Sequence, residues 1–288
     1  MSENRLVLPV ANPETADRLL DTALDVARDR DLELLVVHVV EVPMQLSLVY
    51  AREELDTESG ESVVSDTVER AQASGVDATG LIRFGRDVAR SLVNMADSSD
   101  VEAILLGWRG RPRRRNIVLG SYIDTVLGEA DCDVLVKRID RDGGPVESIL
   151  VPVAGGPHTE YAGQIAGSVA RGHDATVELV TVIPPAATTE ETEAARDLLT
   201  RISPELGAVD SVTETVLRND DVVEAIVERA DDHDVTVLGA ARGGLVRRVL
   251  VGDVPESVGR RADSAVIMCR RYEGLSRTLW RRVKKAGW

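Results

Sequence analysis

The sequence predicts an α/β protein made of two doubly wound, parallel-sheet domains in tandem. Three observations carry that prediction. The first is an internal repeat. LVLPVANPETADRLLDTALDVARDRDLELLVVHVVEVP near the start answers to ILVPVAGGPHTEYAGQIAGSVARGHDATVELVTVIPP in the middle, with Pro9 matching Pro152, Ala11 matching Ala154 and Val39 matching Val182. Later, AILLGWRGRPRRRNIVLGSYIDTVLGEADCDVLVKR answers to TVLGAARGGLVRRVLVGDVPESVGRRADSAVIMCRR, so that Gly107 matches Gly239 and Gly120 matches Gly252. A self-match of this length sets the architecture before any single element is read. The second is the character of the apolar runs. They are near-continuous in Val, Leu and Ile without alternation, as expected of strands covered on both faces. The third is length: 288 residues divide into two units of ordinary domain size.

Taken in order, copy one reads as strands near 5–10, 33–40, 76–84, 102–107 and 133–137, separated by helices near 14–29, 53–73, 87–98 and 119–129. Copy two repeats the strands near 148–153, 176–183, 212–217, 235–239 and 265–269. The run RIDRDGGPVE between them, with its Gly-Gly-Pro turn, is the linker. The expected organisation is therefore a domain over 1–140, a second over 147–271, and a tail over 272–288.

Composition narrows the function classes. Apolar residues are 43% and aromatics only 3%, so the cores are aliphatic. No apolar run approaches the roughly 20 residues of a membrane span, and the start lacks a secretory pattern, so the expected location is the cytoplasm. The net charge is −15, and Lys137, Lys284 and Lys285 are the lysines among 34 basic residues. An acidic, arginine-over-lysine composition fits a salt-loaded, halophilic cytoplasm, where ions screen self-repulsion, and argues against nucleic acid as a partner. Cys132 and Cys269 read as buried small hydrophobes. His38 reads as a core-edge histidine, and Asp231-Asp232 and Glu190-Glu191 as solvated helix faces. No metal-ligand spacing and no nucleophile–base pair stand out.

The candidate site follows strand four of copy one. Gly107-Trp108-Arg109-Gly110 is followed, nine residues on, by Gly120-Ser121 at the start of a helix, a G-x2-G-x9-G-S pattern. Glycines let backbone N–H groups approach an anion, the helix start adds partial positive charge and Ser121 a hydroxyl. Arg111, Arg113, Arg114 and Arg115 raise the potential further. In doubly wound sheets ligands bind beyond the carboxyl ends of the strands, where strand order reverses; the turns after strands one and four lie there.

On these residues the chain resembles the universal stress protein family in its tandem form, over about 3–140 and 147–271. The resemblance implies a Rossmann-like fold of the adenine nucleotide alpha hydrolase type and ATP or another adenine nucleotide as ligand, with or without Mg. It implies that Gly107 and Gly110 line the phosphate path, that Gly120, Ser121 and Tyr122 hold phosphates or ribose, and that Pro9, Ala11, Val39 and Leu106 surround base and sugar. The family's acidic residue after strand one is replaced by Ala11 and Ala154. Copy two carries Arg242 for the second glycine and Asp253 for the serine, leaving Gly239 and Gly252 as a weak second site.

The implied role is a stress-response sensor or regulator that binds a nucleotide. Walker A is absent, so the enzymatic alternative is a slow ATPase. Stretches of copy two also resemble domains fused behind amino-acid permeases, which makes regulation of a membrane transporter the other alternative. The family form further implies that the last strands of the two copies pair, giving an intramolecular pseudo-dimer, with a homo-oligomer of whole chains as a further step. In the tail, Leu275, Leu279, Trp280 and Val283 recur at helical spacing among Arg277, Arg281, Arg282, Lys284 and Lys285. Such a segment suits either an anionic membrane surface, placing the protein at the inner membrane face, or the acidic body of the chain.

Overall fold

The computed structural model describes residues 4–47, 50–98, 100–109, 121–140, 144–240 and 254–274. In copy one the strands are β1 (Arg5–Pro9), β2 (Glu33–Glu41), β3 (Ala78–Gly85), β4 (Val101–Trp108) and β5 (Asp133–Arg138). The helices are α1 (Pro13–Arg30), α2 (Ala51–Glu54), α3 (Glu58–Ala73), α4 (Val88–Ala96) and α5 (Ser121–Glu129). Copy two holds β6 (Ser148–Pro152), β7 (Thr176–Ile183), β8 (Val212–Arg218), β9 (Val235–Gly239) and β10 (Ala265–Arg270). Between them run α6 (Pro157–His173), α7 (Thr189–Ile202), α8 (Val222–Ala230) and α9 (Val254–Arg261).

Local chemistry sets these boundaries. Asn12 caps α1, its side chain accepting from the Thr15 amide, and Pro13 supplies the pre-set first turn. The helix stops at Asp31 in the left-handed conformation (φ 53°), and α6 stops the same way at Asp174 (φ 55°). Asp tolerates that region because its short polar side chain bonds locally. The expected single helix over 53–73 is instead two. Leu55 is extended (φ −101°, ψ 137°), and the Asp56 carboxylate accepts from the Glu58 amide at 3.0 Å. That local competitor for backbone hydrogen bonds restarts the helix.

The ten strands among the described residues form one sheet in the order β3-β2-β1-β4-β5-β10-β9-β6-β7-β8. Pairing is parallel within each copy, and the copies join through an antiparallel β5–β10 ladder from Ile267–Lys137 to Arg270–Val134. The expected intramolecular pseudo-dimer is thus the arrangement within the chain. Inner strands are covered on both faces, whereas the edge strands β3 and β8 leave Thr79, Leu81, Thr213 and Glu214 exposed.

One core lies under α1, α3, α6 and α7, with Leu6, Leu8, Leu105, Leu135, Ile149 and Val237 from the sheet. The other lies under α4, α5, α8 and α9, with Val7, Ile104, Leu106, Val136, Leu150 and Val266. Both run through the two copies without interruption. Each fully buried aliphatic side chain contributes about 1.5–3 kcal/mol, so the halves share their stabilising surface. Cys132 and Cys269 are buried thiols.

Two arginines cross the seam in a reciprocal way. Arg138, at the end of β5, donates to the carbonyls of Gly259, Ala262 and Ser264 at 2.6–2.8 Å, closing the C-terminus of α9. Its counterpart Arg270 donates to the carbonyls of Ala130 and Cys132, closing the C-terminus of α5. Cations at helix C-termini satisfy orphan carbonyls and the helix dipole together.

Candidate functional site

Strand order reverses between β1 and β4 in copy one. The chain leaves β1 for α1 on one face and leaves β4 toward α5 on the other, so a crevice opens between the two exits. On the β1 side, Ala11 is exposed and Pro9 half-buried. The Val10 carbonyl lies 2.9 Å from His38 Nδ1, which ties the turn to β2. On the β4 side, Arg109 reaches across the crevice to Glu14 in the first turn of α1 at 3.0 Å.

Gly107 faces the α1 side in register with Lys137. A Cβ there would come within 2.8 Å of the Ile139 side chain, and the Ile139 amide donates to the Trp108 carbonyl at 2.7 Å. The Tyr122 hydroxyl, on the first turn of α5, donates to the Gly107 carbonyl at 3.3 Å. Burial pushes that phenol up to about 12, so it stays a neutral donor.

The predicted residues therefore fall into three groups. Pro9, Ala11, Gly107 and Tyr122 gather at the crevice. Val39 and Leu106 belong to the core on the α4/α5 face, Leu106 with no exposure, so they support the crevice floor. Gly110, Gly120 and Gly252 lie outside the described residues, as do the Ser121 side chain, Arg242 and Asp253; Ser121 is the first residue of α5. The sequence reading had no signal for the Arg109–Glu14 bridge or for Ile139, because both depend on elements that meet only in the sheet.

Copy two closes where copy one opens. A Cβ on Gly239 would fall 2.7 Å from the His158 carbonyl carbon and 2.8 Å from the Thr159 amide nitrogen, so the start of α6 sits directly on the end of β9. Gly155 and Gly156 make this possible with φ of +79° and +89°. The Arg271 amide then donates to His158 Nδ1 at 3.1 Å, laying the exit of β10 over the same helix start. At the matching place in copy one the nearest atoms belong to the Ile139 side chain, where copy two has backbone. The Gly-Gly-Pro run of copy two was the available signal, since it replaces the Asn12 cap.

Among the described residues, the copy-one crevice offers backbone groups, the Arg109 guanidinium and a neutral phenol. Glu14 is engaged by Arg109 and His38 by a carbonyl. Groups of this kind can orient and neutralise an anion.

A family model described as the Universal stress protein family matches residues 3–138 and again 145–270. The Na(+)/H(+) antiporter NhaS5 of Synechocystis sp. is 26% identical over 270 residues, which is 91% of this chain and 38% of the antiporter. The chain thus spans well under half of that relative. A universal stress protein from Archaeoglobus fulgidus superposes with a TM-score of 0.69 at 19% identity, covering 94% of this chain and 100% of the other. The cytoplasmic domain of a prokaryotic cation chloride cotransporter does so at 0.61 and 14%, covering 96% and 99%. These two likenesses are of fold.

Proposed function

This chain belongs to the universal stress protein family, and we propose that it is a nucleotide-binding regulator with one working site, in copy one. The observation that carries the reading is the contrast between the two switch points. At Gly107 the nearest obstacle to a Cβ is an isoleucine side chain; at Gly239 it is the backbone of α6. The ligand of this reading is an adenine nucleotide, ATP or a relative, with or without Mg. The amides of the β1–α1 turn, Gly107, Gly110, Gly120 and Ser121 would hold its phosphates, with Arg109 as counter-charge. In this reading the chain's groups bind and orient, and the role is sensing rather than turnover.

Calorimetry with AMP and ATP on the full chain tests this. One nucleotide per chain is expected. Gly110→Asp should abolish binding, because a carboxylate repels phosphate and its side chain fills the cradle. Gly252→Asp should leave binding intact, and Ala11→Asp should tighten it by adding an acceptor beside the exposed turn. Two equal sites, or loss with the copy-two variant alone, would refute the assignment.

A second reading concerns what the regulator acts on. Similarity to an antiporter over most of this chain, and the fold shared with a cotransporter's cytoplasmic domain, favour a membrane transporter as partner. No helix among the described residues is long and apolar enough to cross a membrane. Capture from solubilised membranes by the immobilised chain, with and without nucleotide, checks this. Recovery of no transporter under either condition would reject it.

A further inference from the structure

The seam between the copies is symmetric in its arginine caps and asymmetric around Trp108. Trp108, the residue after the first motif glycine, is 2% exposed. Its ring lies under copy two, with the Arg260 guanidinium 5.2 Å from the ring centroid. Gly259 faces the same ring, where a Cβ would stand 3.1 Å from Trp108 Cζ3. Arg260 is itself braced by Glu256, one turn back on α9, at 2.9 Å, and Glu256 is 5% exposed.

The repeat register pairs Trp108 with Ala240, Gly259 with Leu127 and Arg260 with Gly128. At that mirror position a Cβ on Gly128 meets nothing within 4 Å. The contact therefore exists only toward the copy that keeps the intact glycine motif. A guanidinium over an indole face is an oriented attraction, and glycine beneath the ring lets the helix approach closely.

We infer that copy two positions the ligand loop of copy one: Gly259 and Arg260 hold Trp108, and Trp108 sets the exit of β4 from which Gly107 and Arg109 face the crevice. The degenerate copy is a built-in positioning partner for the intact one. This rests on the nucleotide reading of copy one, but the contact can be tested apart from it.

The experiment uses the full chain with Trp280→Phe and Trp288→Phe, so that Trp108 alone fluoresces. Arg260→Ala should raise acrylamide quenching of Trp108 about twofold and weaken AMP and ATP binding about fivefold, the scale of one lost cation–π contact. Arg260→Lys, which keeps a cation over the ring, should restore most of both. Gly259→Ala should weaken nucleotide binding and raise quenching of Trp108, since a Cβ there would stand 3.1 Å from the ring and displace it. A merely structural role would move affinity and midpoint together. Unchanged quenching in Arg260→Ala, or lost affinity without a change in quenching, would overturn the inference. Absence of nucleotide binding in the unmutated chain would overturn the functional reading, while quenching would still decide the contact.

Discussion

At the seam, Asp29 of α1 accepts from Arg171 Nε at 2.6 Å and Nη2 at 2.8 Å, and from Ser168 Oγ at 2.7 Å. The Arg171 hydrogen bond holds its carboxyl below the ordinary 3.8, outweighing the burial that pushes it up. A carboxyl with a depressed folded pKa adds stability that is present above its unfolded value and lost as pH falls through the folded one. The pair is partly solvated, so Asp29→Asn should cost roughly 0.5–1 kcal/mol at pH 7. The gap should shrink as pH drops from about 3.8 and close below the depressed value. Thermal unfolding of both proteins across that range measures it; a gap independent of pH would refute the pairing. The sequence could not reveal this partner, 142 positions away, because it arises only where α1 meets α6. Side chains with local partners were only partly legible. Glu191 read as a solvated face, and it is exposed, yet it also completes the capping box of Thr188. Asp231 read the same way, yet it accepts from the Asp263 amide.

At the scale of elements, the loops after β2 and β7 are each tied down by an arginine from the neighbouring edge strand or its exit. Arg86 donates to the carbonyls of Val42, Pro43 and Leu46. Arg218 donates to those of Pro185 and Ala187 and to Thr192 Oγ1. The two arginines are not equivalent in the repeat, since Arg218 matches Phe84 in register; the same task is solved twice. Arg218→Ala should cost about 1–2 kcal/mol and raise hydrogen exchange over 184–192, leaving β6 and β9 unchanged. Protection over 184–192 equal to the parent's would show that the loop holds itself. Strands and long helices were legible because their apolar periodicity is dictated by burial. The break at Leu55–Thr57 was not, because polar residues compatible with a helix there bond to the backbone locally instead. Likewise the collapse of α6 onto Gly239 depends on two glycines with positive φ, whose sequence signature is an ordinary turn.

For the whole molecule, the continuous cores and the buried Arg138 make the two copies one cooperative unit. Arg138→Ala would strand three carbonyls at the end of α9 and should cost about 2–4 kcal/mol, with the chain still melting in a single calorimetric transition. Two resolved transitions in the unmutated chain would overturn that unity. The tandem organisation followed from the repeat, whereas strand pairing across the seam was implied only by the family resemblance. Arg242 and Asp253 gave no sign in the sequence of the α6 backbone that packs on Gly239. The antiparallel β5–β10 join has one more consequence. In a dimer of separate subunits every substitution appears twice, and the interface must survive dilution. Carrying both halves on one strand of peptide fixes their stoichiometry and keeps their effective concentration high at any expression level. A residue of the seam such as Arg260 can then specialise without imposing the same change on its twin.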